Sequence, residues 1–437
     1  MITLEALNTL PVDEFTSVLG AIFEHSPWVA QRAATARPFS SRLELLDAMR
    51  AVVQVAPIEE QLGLIRAHPQ LGARGRKRLE FTEASAYEQR RAGLDACTDE
   101  EFAQLLLLNT AYVEKFAFPF ILAVRGHDPD SILAAMSDRL NNDVEVERHT
   151  ALTQIGLIGG YRLADLVASP AGAEVKAMRD RLVSGTTALN ALATVAAGAG
   201  PAATVTGAIA AVRGPVATAT VATAAAAAPT AASSAALLRE WMLAANLEVY
   251  PGAAGNLAGV QQNDPNVPCL LVGLYSDSTT EVLRRDGGLG SLLGIAVAQQ
   301  IRQKRLPTHF GLLVLASPAD ERRGSIFLDA HPGAIRNAPV LVVTETDPSS
   351  SPLRAAGISR CIVLVHPGPA GDGASAGGPS AAGASAGDPG AGGLTAVGPN
   401  ASGPNAPHPG DALDAHTLER AAQSLEDFLT QPRKIQE

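Results

Sequence analysis

The chain is poor in cysteine, aromatics and basic charge, and each shortage removes a class of function. Three cysteines in 437 residues, Cys97, Cys269 and Cys361, fit neither a disulfide framework nor a zinc-ligand spacing. A reducing, cytoplasmic setting is the expectation. Aromatics make up 4% of residues and the formal net charge is −10. With no basic stripe and few stacking side chains, nucleic acid is excluded as a partner. Long apolar runs are missing too. The one nearly uncharged stretch, 201–236, is mostly Ala and Thr and contains Arg213, Pro215 and Pro229, so it is no membrane span. Residues 1–10 carry no basic segment ahead of an apolar one, and Asp13 and Glu14 interrupt the first apolar run, unlike a signal peptide. These exclusions point to a soluble protein.

What is present divides the chain by composition. Residues 1–170 mix charged and apolar positions at helical spacing and are expected to form an all-α helical bundle. Leu43, Leu45, Leu46, Met49, Val52 and Val53 give one apolar face. Thr98 followed by Glu101 reads as a capping box that opens a helix to about Lys115. Phe118-Pro119-Phe120 breaks the pattern, Asp130 restarts it, and 145–167 reads as a further helix. Residues 171–234 read as an Ala/Thr/Gly/Pro-rich disordered linker. Residues 235–366 alternate short apolar runs with helical segments, which predicts an α/β three-layer sandwich. Residues 367–411 read as a disordered Gly/Ala/Ser/Pro-rich insert, and 412–437 as an amphipathic helix with a tail.

Within the first domain an imidazole, a carboxylate and a guanidinium stand out. His68 precedes a helix start at which Thr82 is a plausible N-cap. On that helix Ser85, Glu88 and Gln89 lie at i, i+3 and i+4 and share a face. Arg162 lies far downstream. By spacing alone the ordinary reading is the better one: a solvated helix face, a structural histidine and a surface arginine.

The surrounding segments change that balance. Phe23-Glu24-His25-Ser26-Pro27-Trp28-Val29, Ala67-His68-Pro69-Gln70-Leu71-Gly72, Phe116-Ala117-Phe118-Pro119-Phe120-Ile121 and Arg162-Leu163-Ala164-Asp165-Leu166-Val167 together resemble the ureidoimidazoline decarboxylase family of urate breakdown. The likeness runs from Leu4 to about Val167. It implies that His68 and Glu88 are the catalytic pair, and that Pro69, Ser85, Gln89, Phe118, Ile121 and Arg162 bind the substrate. The implied reaction turns 2-oxo-4-hydroxy-4-carboxy-5-ureidoimidazoline into (S)-allantoin and CO2. It implies a homodimer and no cofactor, since the ring C=N beside the carboxylate accepts the electrons that CO2 leaves behind. In this reading Glu88 beside His68 favours imidazolium. Gly156, Gly159 and Gly160 just ahead of Arg162 predict a weakened helix beneath it, by about 1 kcal/mol each.

The segment from about Ala235 to Val365 resembles zinc-dependent amidohydrolases that act on allantoate and N-carbamoyl amino acids, and it departs from them. Tyr275 stands where a zinc-binding His belongs, with Asp277 two residues on and Asp286 eleven residues on. Neutral tyrosine is a poor zinc ligand. Asp320 and Glu321 remain of an acidic pair in ambiguous register, and His331 and His366 each precede Pro-Gly. Asp277, Asp286 and Glu321 are therefore read as degenerate remnants, with no metal expected. Two alternatives stay open beside a decarboxylase with a metal-free second domain: a bifunctional enzyme that also hydrolyses a ureido compound, and a non-catalytic assembly protein that gathers other enzymes of the pathway.

Overall fold

A computed structural model describes residues 1–72, 85, 88, 92–94, 97–184, 231–251, 257–261, 269–272, 289–309, 311–316, 340–342, 361–363 and 415–430. The first part is helical, as its periodicity predicts: α1 (Leu4–Thr9), α2 (Val12–Leu19), α3 (Pro27–Ala33), α4 (Arg42–Gln54), α5 (Ile58–Arg66), α6 (Asp99–Phe116), α7 (Pro129–Arg139) and α8 (Val144–Leu166). Two short strands, β1 (Ile2–Thr3) and β2 (Val167–Ala168), pair in parallel and tie the two ends of this part together.

Local chemistry sets the boundaries. Ser41 caps α4 by accepting from the Glu44 N–H at 3.1 Å. Thr98 and Glu101 form the reciprocal capping box at the start of α6, and Asp128 and Ser131 form another at α7. Ala117 ends α6 in the left-handed conformation, φ 59°, which turns the chain into the segment 118–126. The core gathers Phe15, Leu45, Met49, Tyr112, Phe120 and Ile155, all essentially inaccessible. Burying each such side chain contributes about 1.5–3 kcal/mol.

α8 runs through its three glycines without a break. At Gly159 a Cβ would sit 3.2 Å from the Phe23 ring, and at Gly160 it would sit 3.0 Å from a Leu46 methyl. The missing side chains let α8 approach α4 and the 20–26 turn closely. Dense packing therefore replaces intrinsic propensity, and the expected loose support beneath Arg162 is not found.

The linker read as 171–234 also needs correction at its start. Ala171–Ser184 is a helix, α9, whose Ala171, Val175 and Met178 are buried. They are covered by α11 (Leu289–Lys304) and the C-terminal α12 (Ala415–Thr430). Three apolar positions at i, i+4 and i+7 are enough for a buried stripe once a partner helix covers them. At its other end the linker runs into α10, which starts at Ala231 (Ala231–Ala244).

In the second half, β3 (Glu248–Pro251), β4 (Leu257–Gln261), β5 (Cys269–Val272), β6 (Gly311–Ala316), β7 (Val340–Val342) and β8 (Cys361–Val363) form one sheet in the order β3-β4-β6-β5-β7-β8. β3, β4 and β6 are antiparallel neighbours, and β6, β5, β7 and β8 are parallel. The parallel β5–β6 pair requires a crossover, which α11 supplies. Its Leu292, Ile295 and Val297 share a buried cluster with Leu312 and Val314 of β6. Among the described residues no helix is long and apolar enough to cross a membrane.

Candidate active site

His68 follows the end of α5. Its backbone N–H closes onto Ile65 O at 3.2 Å, and its ring Nδ1 lies 2.9 Å from Leu64 O. A carbonyl only accepts, so Nδ1 carries the proton and Nε2 is left with its lone pair. Among the described residues Nε2 has no protein partner, and it is buried. Burial pushes the His68 pKa down to about 4, outweighing the Leu64 hydrogen bond and the Glu24 carboxylate, which pull the other way. The ring is a neutral base at physiological pH, so the imidazolium expected from a neighbouring Glu88 is corrected. Glu88 bonds Arg162 instead, and the cost of desolvating a cation dominates.

Arg162, near the C-terminal end of α8, is the hub. Nη1 donates to Glu24 Oε2 at 2.7 Å and, at 3.4 Å, to Ala21 O and Ile22 O. Nη2 donates to Ser85 Oγ at 3.0 Å and Glu88 Oε2 at 3.2 Å, and Nε donates to Glu88 Oε1 at 3.3 Å. Ser85 Oγ in turn donates a hydrogen bond to Glu24 Oε2 at 3.1 Å. Ser85 and Glu88, both helical and three residues apart, therefore do share a face, and it points at Arg162 rather than at solvent. Burial raises the Glu88 carboxyl above the usual range, although Arg162 opposes the rise.

His68, Ser85, Glu88 and Arg162 line a cleft together with Pro69, Leu71, Phe120, Ile121, Leu122, Val124 and Ile158. Two contacts fix the apolar wall. Arg139 Nη1 donates to Ile121 O at 2.7 Å, and Ala123 N–H donates to Gln154 Oε1 at 2.9 Å. The result is a neutral imidazole, a carboxyl group and a guanidinium lining one cleft with an apolar wall, a combination that can bind a small anion and move protons.

A family model described as OHCU decarboxylase matches residues 8–164. The 2-oxo-4-hydroxy-4-carboxy-5-ureidoimidazoline decarboxylase of Haloferax volcanii is 44% identical over 168 residues, which span 98% of that protein and 38% of this chain. The chain belongs to the OHCU decarboxylase family. Membership is carried by its helical part. The uric acid degradation bifunctional protein PucL of Bacillus subtilis is 39% identical over 176 residues, 40% of this chain and 35% of that protein. A crystal structure of (S)-allantoin synthase shares 30% identity over 39% of this chain and 55% of the other, with a TM-score of 0.32.

Of the residues that family likeness marks, His68, Pro69, Ser85, Glu88, Ile121 and Arg162 come together at the cleft. Phe118 does not reach it. It is buried against Tyr112 and Phe116, with ring centroids 6.2 and 5.9 Å away, and Phe120 two residues on takes the wall position. Gln89 and Thr82 lie outside the described residues, as do Tyr275, Asp277, Asp286, Asp320, Glu321, His331 and His366. Sequence reasoning assigned no role to Glu24, although it stands inside a segment that carries the family likeness. A carboxylate between two large apolar residues and a Ser-Pro helix start was the available signal.

Proposed function

We propose that the chain decarboxylates 2-oxo-4-hydroxy-4-carboxy-5-ureidoimidazoline to (S)-allantoin in urate breakdown, as a cofactor-independent carboxy-lyase. The observation that carries this reading is the bare Nε2 of a neutral His68, sharing one cleft with Arg162 and Glu88. The substrate carboxylate sits on a carbon beside a ring C=N bond. When CO2 leaves, the bonding pair becomes a C=C bond and the ring nitrogen takes the negative charge, so the electron sink is the substrate itself.

Three protein tasks remain. Arg162 holds the substrate anion with its planar fork. His68 Nε2 accepts the hydroxyl proton as that oxygen becomes the product carbonyl, and returns it to the ring nitrogen. Glu88, as the carboxylic acid, protonates the ureido-bearing carbon from one side, which yields one enantiomer. The sum is the uptake of one proton per CO2 released. The apolar wall of Phe120, Ile121, Leu122 and Val124 excludes water, which strengthens the polar contacts within.

The test is a coupled assay from urate with urate oxidase and hydroxyisourate hydrolase, following allantoin by circular dichroism. Rapid appearance of the (S) enantiomer with the intact chain, lowered about 10²- to 10⁴-fold by His68→Ala, is the expected result. Racemic allantoin at the spontaneous rate would overturn the reading in favour of an assembly role.

For the second half, the mixed sheet with helices packed on it supports the α/β three-layer reading and a shortened, metal-free relative of the zinc amidohydrolases. Zinc retained through purification together with allantoate hydrolysis would favour the bifunctional alternative. A homodimeric, cytoplasmic enzyme associating with other urate-pathway enzymes completes the proposal.

A further inference from the structure

Two carboxylates share one guanidinium, and they do so unequally. Glu24 is almost wholly inaccessible and meets Arg162 Nη1 at 2.7 Å while accepting from Ser85 at 3.1 Å. It is not among the residues that line the cleft. Glu88 lines the cleft and meets the Nε/Nη2 edge of the same guanidinium at 3.3 and 3.2 Å, long for charge-assisted bonds. The edge of Arg162 that a substrate anion reaches from the cleft is thus the one Glu88 occupies.

We infer that Glu24 is the permanent counter-ion of Arg162 and Glu88 the exchangeable one, so that the substrate carboxylate displaces Glu88 from Arg162 and leaves it to take up a proton. The inference rests on the decarboxylase reading and deepens it. Charge supports it. Arg162 bonds two carboxylates, Glu24 and Glu88, with Arg125 a further cation that acts on Glu88, and an anionic substrate adds a third negative charge to these two in a desolvated cleft. Protonating the displaced Glu88 removes one of them. That proton comes from solvent on binding, goes to the substrate carbon after CO2 leaves, and matches the single proton the reaction consumes. Glu24 acts through Arg162 and Glu88 and is a positioning residue.

Its charge also acts on both proton-transfer groups. His68 faces Glu24 and His25 from the turn before α3, Arg162 from α8 and the Leu64 carbonyl of α5. Glu88 faces Arg162, Glu24 and Arg125. Glu24 pushes both groups towards holding a proton. Removing its charge lowers both, so the acidic limb of the rate profile, set by His68, and the alkaline limb, set by Glu88, move together.

The experiment measures kcat/KM against pH for the full chain and for Glu24→Gln and Glu24→Asp, in the coupled assay with the auxiliary enzymes in excess. Glu24→Gln keeps the shape and the accepting oxygen. It is expected to move the whole bell to lower pH by about one unit and to raise KM, because Glu88 then holds Arg162 more tightly against the substrate. Glu24→Asp keeps the charge but shortens the reach, so the bell stays in place while KM rises about tenfold. A purely structural Glu24 lowers kcat and stability without moving the bell, and that result overturns the inference. So does a wild-type KM in Glu24→Asp, which decides the matter alone if Glu24→Gln does not fold. An inactive wild type fails the decarboxylase reading itself and is seen before any variant is made.

Discussion

At the residue scale the decisive quantity is the charge on His68. Its ring is neutral because desolvation outweighs one hydrogen bond and one nearby carboxylate. Sequence displays neighbours but not burial, so the imidazolium expectation was reasonable and wrong. His68, Glu88 and Arg162 were visible only through the family likeness, since spacing alone favoured a solvated face. Glu24 was missed because its partner Arg162 is 138 positions away. The acid at Glu88 has its own test. Glu88→Gln retains a polar group facing Arg162 but has no acidic proton, so kcat should fall about 10²- to 10⁴-fold while KM falls too, because a neutral amide competes less for the guanidinium. Steady-state kinetics of that variant would show the split, and an unchanged kcat would remove Glu88 from the proton transfer.

At the element scale, what sequence disclosed well was punctuation. The Thr98–Glu101 box, the apolar face of α4 and the restart near Asp130 all lie where local chemistry puts them. What it disclosed poorly was anything decided by a distant partner. α9 reads as linker until α12 covers it, and the glycines of α8 read as weakness until Phe23 and Leu46 are seen against them. Propensity and packing therefore disagree in sign at Gly159. Alanine there gains up to about 1 kcal/mol of helix propensity, but its Cβ would press on the ring of Phe23, whose neighbour is Glu24. Overpacking of this kind costs about 1–3 kcal/mol. We expect Gly159→Ala to lower the Tm by a few degrees in thermal denaturation. A raised Tm would mean that the ring yields freely.

At the scale of the whole molecule, the second half is docked on α8. Ala164 O accepts from Gln299 Nε2 at 2.6 Å and Gln303 Nε2 at 2.8 Å, and Val167 O accepts from Gln303 at 3.1 Å. Asp165 is bracketed by Arg125 and Arg302, and Arg50 meets Glu240 at 2.6 Å. Polar side chains of α11 thus satisfy carbonyls at the end of the helix that bears Arg162. Replacing Gln299 and Gln303 together by alanine removes two donors from Ala164 O and one from Val167 O, leaving them, among side-chain donors, only the longer bonds from Arg302 at 3.3 Å and Arg42 at 3.2 Å. We expect the loss to appear as a several-fold lower decarboxylase kcat in the full chain with its pH profile unmoved. Wild-type kinetics would make the second half a passenger. None of this docking was legible in composition, which shows a linker but not where its ends return. The parallel pairing of Ile2 with Val167 has a consequence of another kind. Because the helical unit enters and leaves at one spot, it is a portable cassette: a splice at that single seam can join it to an unrelated neighbour without cutting its interior.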